Sequence, residues 1–288
     1  MAAEARRLGV TLEVDAPVAR IITESGQATG IELENGRVIE AGAVAANVGP
    51  KPLYLKLLAE ADLPAGFRAR IERLRVGSAT FRMNVALSEL PRFTAAPRND
   101  GGAHLGSGII IAPSLGYMDR AFAEARLNGM SGAPIVEMLI PSTLDQTLSP
   151  KGAHVASLFC QHFSYKLPDG RDWHQERQRA VDLILSTVDS YAPNFRASVV
   201  GHSALSPIDL EEKLGLTGGD IFHGALGLDQ LWAARPMLGF GDYRTPLKSL
   251  YLCGAGAHPG GGVTGIPGHN AAREILRDGL KSVSGPNS

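Results

Sequence analysis

The opening residues, Glu4-Ala5-Arg6-Arg7-Leu8, predict the last turns of a helix stopped at Gly9. Beyond it the apolar positions fall into short extended runs at residues 10–14, 18–22 and 29–33, each bounded by polar or turn-forming residues as strands are. Asn35-Gly36 follows, a pair that favours a tight hairpin turn, and residues 38–40 return from it. Together these runs predict a small β-meander over residues 10–48, leaving at Asn47-Val48-Gly49-Pro50. Residues 51–74 change to helical spacing, interrupted at Pro64.

Residues 79–87 alternate as a half-buried strand should, and 108–111, 135–140 and 155–159 are further strand candidates. Residues 171–191 predict a long helix that buries Val181, Leu183, Ile184, Leu185 and Val188 and ends before Pro193. A short apolar strand at 247–253 then runs into a glycine cluster. Residues 270–280 follow as a closing helix with Ala271, Ala272, Ile275 and Leu276 on one side. The pattern is an α/β (α+β) one, a mixed sheet covered by helices. The tail at 282–288 is expected to be disordered.

Composition narrows the function. With 28 Lys plus Arg against 29 Asp plus Glu, the net charge of −1 provides no strong field for nucleic acid. No apolar run approaches the ~18 residues needed to span a bilayer, which leaves peripheral membrane contact open. Cys160 and Cys253 stand far apart, so neither a disulfide scaffold nor a zinc ribbon is expected, and a reducing, cytoplasmic setting fits. His154 and His162, eight apart on one strand, are expected on a common face, but without a third ligand they predict no metal site. Neither G-x-S-x-G nor H-E-x-x-H occurs.

The informative segment is residues 250–268, a strand joined to a helix through a loop with few side chains. Glycines let backbone approach a ligand closely, and a helix start favours negative charge. Gly260, Gly262 and Gly265 satisfy G-x-G-x-x-G, yet a dinucleotide turn needs a βαβ unit of ~30 residues and an acidic residue ~20 further on. The chain ends before either. The loop therefore reads as a secondary cofactor contact, with a purely structural strand-to-helix connection as the alternative.

The run Gly254-Ala255-Gly256-Ala257-His258-Pro259-Gly260-Gly261-Gly262-Val263-Thr264-Gly265 resembles the carboxyl-terminal flavin motif of phytoene and carotenoid desaturases, departing from it at Ala257, Gly261, Val263 and Thr264. The wider chain is similar to the phytoene-dehydrogenase-like branch that includes pyridine nucleotide-disulfide oxidoreductase domain-containing proteins. Gly218-Gly219-Asp220-Ile221-Phe222-His223-Gly224, Leu228-Asp229-Gln230-Leu231 and the strand from Val18 to Ile21 carry that likeness.

The resemblance implies a glutathione-reductase-like two-domain FAD-binding fold. Residues 1–50 and 247–288 would form a partial, discontinuous FAD domain, and residues 51–246 a substrate domain of mixed sheet and helices. The backbone at Val18 is then expected beside the adenine. Gly254, Ala255 and Gly256 would pass the ribityl and phosphate region, Gly262, Val263, Thr264 and Gly265 would lie at the isoalloxazine, and Pro259, Gly260 and Gly261 between them are counted with the cofactor contacts.

Family members carry their main dinucleotide turn near the amino terminus, so the resemblance implies a carboxyl-terminal portion that lacks the N-terminal Rossmann βαβ. The expected activity of the parent is hydride or electron transfer between an apolar substrate and flavin. A non-catalytic remnant or interaction module that keeps the fold without binding FAD is the alternative. Beside the apolar substrate, the partners expected are a second copy or a missing N-terminal segment. Flavin chemistry asks little of protein acids and bases, so no catalytic residue is named. His258 and His223 are weighed as cofactor contacts against roles in the turn.

Overall fold

The computed structural model describes residues 1–96 and 102–279, so the predicted tail at 282–288 lies outside the described residues. In chain order the elements are α1 (Ala2–Arg7), β1 (Val18–Glu24), β2 (Gln27–Leu33), β3 (Val38–Glu40), β4 (Val44–Ala46), α2 (Pro50–Leu55), α3 (Phe67–Glu72), β5 (Thr80–Leu87) and β6 (Ile109–Ile111). They continue with α4 (Leu115–Asn128), β7 (Met130–Leu139), β8 (His154–Phe163), α5 (Trp173–Asp189), α6 (Phe195–Ser198), β9 (Val199–Leu205), α7 (Pro207–Leu214), β10 (Leu250–Leu252) and α8 (Ile266–Arg277). The class is mixed α/β. Among the described residues no helix is long and apolar enough to cross a membrane.

The chain divides into two compact units, one of Met1–Arg75 with the described part of Phe222–Ser288, the other of Val76–Ile221. The divisions fall at Arg75 and Phe222, where the sequence reading places them at 50 and 247. Packing explains the difference. Leu53, Tyr54, Phe67 and Ile71 share one core with Ile21, Leu250, Leu252 and Ala271, and Met237 and Tyr243 join it, so both flanks belong with the chain ends.

In the first unit β1, β2 and β3 form an antiparallel meander, and β4 pairs in parallel with β10, Val44 opposite Leu250. The backbone of Lys248 joins the two sheets, its carbonyl accepting from Ala28 N at 2.9 Å. The turn at Asn35-Gly36 is longer than the two-residue form: Leu33 N donates to Arg37 O, which closes a loop in which only Gly36 takes a positive φ, +84°. Residues 10–14 form no strand. Val10, Leu12 and Val14 are all exposed, so no burial rewards their alternation.

In the second unit five strands run in the order β6-β7-β8-β5-β9, antiparallel throughout. Met83, Val85, Val136, Met138 and Leu158 face a core completed by Ile184 and Val188 of α5, a helix started by the Asp172 side chain accepting from His174 N. Four elements, α4, α6, β9 and α7, have no counterpart in the sequence reading, and α6 is a single turn of four residues. In α4 the inward stripe is Tyr117, Ala121 and Ala125, while Leu115, Phe122 and Leu127 are exposed, so the amphipathic signal is inverted. β9 is half-exposed on both faces, and α7 is only eight residues long.

His154 and His162 do not share a face. Burial alternates through Ala156, Leu158 and Cys160 and then resumes at Phe163, a change of phase within β8 that separates the two. His162 packs edge-on against Phe122 of α4, ring centres 5.3 Å apart.

The head of α7 shows how a buried charge is held. Asp209, 1% exposed, accepts from Ser206 N at 2.9 Å and Ser206 Oγ at 2.6 Å, from Arg177 at 2.8 and 2.9 Å, and from Lys213 at 3.1 Å. Burial opposes ionisation, but the Ser206 hydroxyl and amide, Lys213 and Arg177 outweigh it and hold the carboxyl at about 2, below its ordinary 3.8. A carboxylate lowered in the folded state stabilises fully above its unfolded value, and that stability is lost as pH falls from about 4 through about 2; the displacement is worth roughly 2 kcal/mol. Asp209→Asn should therefore unfold at lower urea than the parent at pH 7, with the gap closing as pH falls toward 2. A gap independent of pH would contradict this source of stability.

Candidate cofactor loop

The loop begins where β10 ends. Cys253 N donates to Ala46 O at 2.9 Å, which extends the parallel pairing by one residue and aims the chain out of the sheet. Its glycines then divide into two kinds. A Cβ on Gly254 would lie 1.9 Å from Asn47 Oδ1, one on Gly256 2.7 Å from Pro50 Cδ, and one on Gly261 3.0 Å from the Phe222 ring. Gly256 and Gly261 are glycine because neighbours leave no room, while Gly254 combines the Asn47 contact with a φ of +141° that itself favours glycine.

Gly262 and Gly265 differ. A Cβ on Gly262 would meet only Thr264 Cγ2 at 3.6 Å, and one on Gly265 nothing within 4 Å. Their φ values of +116° and +72° are what glycine provides. Between them Val263 is fully exposed at φ +56°, a strained conformation for a β-branched residue. Thr264 Oγ1 accepts from Ile266 N at 3.2 Å, and Gly265 caps α8, with Pro267 in its first turn. The helix accordingly starts at Ile266 rather than at 270. It buries Pro267 and Ala271, while Leu276 is exposed. Among the described residues no protein acceptor is recorded for the N–H groups of Gly260, Gly261 and Gly262. With the positive end of α8 beside them, these donors make a local site for an anionic or carbonyl-rich group.

Two side chains hold the loop in place. Arg235, 2% exposed, donates from Nε and Nη2 to Ala255 O at 3.0 and 2.6 Å, from Nη2 to Phe222 O, and from Nη1 to Gly224 O and Gln230 O at 3.4 and 3.3 Å. Gln230 in turn donates to Arg75 O and Ala225 O. Tyr243 OH donates to His258 O at 2.9 Å and accepts from Asn270 Nδ2 at 2.7 Å, linking the loop to α8. His258 Nδ1 is buried with no hydrogen-bond partner among the described residues, and His223 packs beside Gly256 and Gly49.

Of the residues singled out in the sequence, Gly254, Ala255, Gly256, Pro259, Gly260, Gly261, Gly262, Val263, Thr264 and Gly265 form this one loop. Val18 stands apart at the start of β1, half-buried and opposite Leu33. Arg235 and Tyr243 are additions. Both are near the carboxyl-terminal half of a stretch without periodicity, and a lone Arg-Pro or Tyr there carries no local signal.

No family model matches the chain. Its fold is similar to that of solved oxidoreductases: 91% of the chain overlays 48% of an oxidoreductase from Methanosarcina mazei, with a TM-score of 0.55 and 18% identity. Likewise 95% overlays 51% of a putrescine oxidase variant redesigned in its cofactor binding, with a TM-score of 0.53 and 14% identity. By sequence the relationship is more particular. The chain is homologous to pyridine nucleotide-disulfide oxidoreductase domain-containing protein 2 of Mus musculus, 39% identical over 289 residues that cover 98% of the chain and 50% of the relative. It is also homologous to a lycopene-forming phytoene desaturase of a Paracoccus strain, 27% identical over 292 residues, 98% of the chain and 54% of the relative. The chain thus spans about half the length of the curated relatives it matches, and the resemblance drawn from the glycine loop extends over nearly all of it.

Removing the buried guanidinium should unfasten the loop. Arg235→Met leaves the carbonyls of Ala255 and Phe222 without their donor inside the fold, a loss of about 2–5 kcal/mol. Arg235→Lys should recover little, because an ammonium cannot reproduce the fork. Urea unfolding of both variants tests this, and a loss below about 1 kcal/mol for Arg235→Met would show that the loop is held by other means.

Proposed function

We propose that this chain contributes the flavin-facing loop and the substrate-bearing unit of an FAD-dependent oxidoreductase of the phytoene-dehydrogenase-like group, in a glutathione-reductase-like arrangement whose dinucleotide βαβ comes from outside this chain. The observation that carries the reading is the stretch from Gly260 to Gly265, where the amides of Gly260, Gly261 and Gly262 have no acceptor among the described residues and the glycines at 262 and 265 serve no packing need. The buried, unpartnered Nδ1 of His258 within the same loop is a further polar atom that the protein alone leaves unsatisfied.

Flavin, when bound, supplies the acceptor for hydride or electrons from an apolar substrate. The chain's own part is positional and electrostatic. The donors of Gly260, Gly261 and Gly262 and the head of α8 favour negative charge at the loop, and Arg235 and Tyr243 keep that array fixed so that no reorganisation is needed. Val263 and Thr264, exposed at the tip, would meet whatever lies on the loop, with Val18 reading the adenine end through backbone groups.

Expressed at its full coded length, the protein should purify with flavin or take it up on reconstitution, and a colourless product that gains none would overturn the proposal. A pair of substitutions separates the two kinds of glycine. Gly254→Ala, which drives a methyl into Asn47, should lower stability whether or not flavin is present. Gly262→Val adds strain of order 1–3 kcal/mol and no packing clash, so it should reduce flavin content far more than it lowers the melting temperature of the flavin-free protein. Flavin retained per folded molecule with folding lost would mean that the glycine at 262 serves the turn alone.

A further inference from the structure

We infer that the cavity at the head of β8, in the unit Val76–Ile221, binds a small carboxylate with an apolar tail. The cavity measures about 910 Å³, within the range of small-molecule sites. Leu90, Leu105 and Leu144 give it an apolar wall, and Lys151 and His154 stand on its polar side. No Asp or Glu is among its described lining residues, and Lys151 has no ion-pair partner among the described residues. The hydroxyls of Ser142, Thr143 and Ser149 also line it, but they already donate to Val155 O, Ile140 O and Ala153 O. Besides the exposed amide of Gln146, which can donate or accept, the lysine and the histidine are therefore the groups left to meet a ligand.

His154 supplies the independent observation. Register fixes its place, since it lies opposite the fully buried Leu87 at the end of the β5–β8 pairing. Its Nδ1 is buried with no hydrogen-bond partner among the described residues. A buried N–H without an acceptor is costly, so a neutral imidazole here keeps its proton on Nε2 and can act as a donor through that atom. An alcohol would satisfy the imidazole but not the ammonium, and an amine would meet Lys151 as a like charge. A carboxylate answers both groups, and its tail can cover the leucines. The site uses no residue of the glycine loop, so it stands or falls apart from the flavin proposal.

The test is calorimetric titration of the 288-residue protein with hexanoate, hexan-1-ol and hexylamine. Hexanoate should bind at least about 10-fold more tightly than either neutral or cationic analogue. Lys151→Glu, at an exposed position, should weaken hexanoate about 10-fold or more. His154→Phe should weaken it too, with thermal unfolding confirming that each variant is folded and Lys151→Gln standing in should either fail to fold. Gly262→Val should leave hexanoate binding unchanged. No binding of hexanoate, equal affinity for all three probes, or an affinity indifferent to Lys151→Glu and Lys151→Gln would overturn the inference.

Discussion

The first unit depends on one buried guanidinium. Arg235 gathers carbonyls from residues 222, 224, 230 and 255, so that a stretch without regular secondary structure and the glycine loop share a single fastening point. A planar fork with several donors can do this where a hydrophobic contact cannot, because an irregular backbone presents polar groups that must be satisfied wherever it is buried. The loop is consequently fastened at Ala255, while a few residues later its amides have no acceptor among the described residues, the combination expected of a surface prepared for a ligand.

The same contrast explains why a glycine count says less than glycine surroundings. Gly256 and Gly261 are excluded from carrying side chains by Pro50 and Phe222, and Gly254 is constrained both by Asn47 and by its φ of +141°; Asn47 and Pro50 lie more than two hundred positions away in sequence. Gly262 and Gly265 are required by backbone conformation alone. In the linear sequence the two groups are indistinguishable. The G-A-G-A-H-P-G-G-G string was therefore legible as a ligand loop, while the division of labour within it was not.

Much of the architecture could be read from periodicity, namely the meander, β5, β8, α5 and the strand-loop-helix at the carboxyl end. What escaped has physical causes. α4 buries alanines and exposes Leu115 and Phe122, opposite to what a hydrophobicity pattern assumes. Residues 10–14 carry strand periodicity with nothing to pair against. The placement of residues 50–75 and 222–246 with the chain ends depends on contacts of Phe67, Tyr54 and Tyr243 that no local pattern encodes. Arg235 is the clearest case, because a lone arginine reads as surface until the carbonyls around it are known.

The parallel pairing of Val44 with Leu250 also bears on how the molecule assembles. The unit Val76–Ile221 is continuous in sequence and has its own core, so it can form while the remainder of the chain is still being synthesised. The other unit cannot be completed until β10 has emerged, because its core needs Leu250 and Leu252 beside Ile21 and Leu53. Closing that contact across an unstructured stretch would carry a large entropy, and a folded intervening unit brings the two ends of the gap closer. Synthesis order and topology together thus make the glycine loop a late part of the fold, fastened only once β10 has paired and α8 has brought Asn270 to Tyr243.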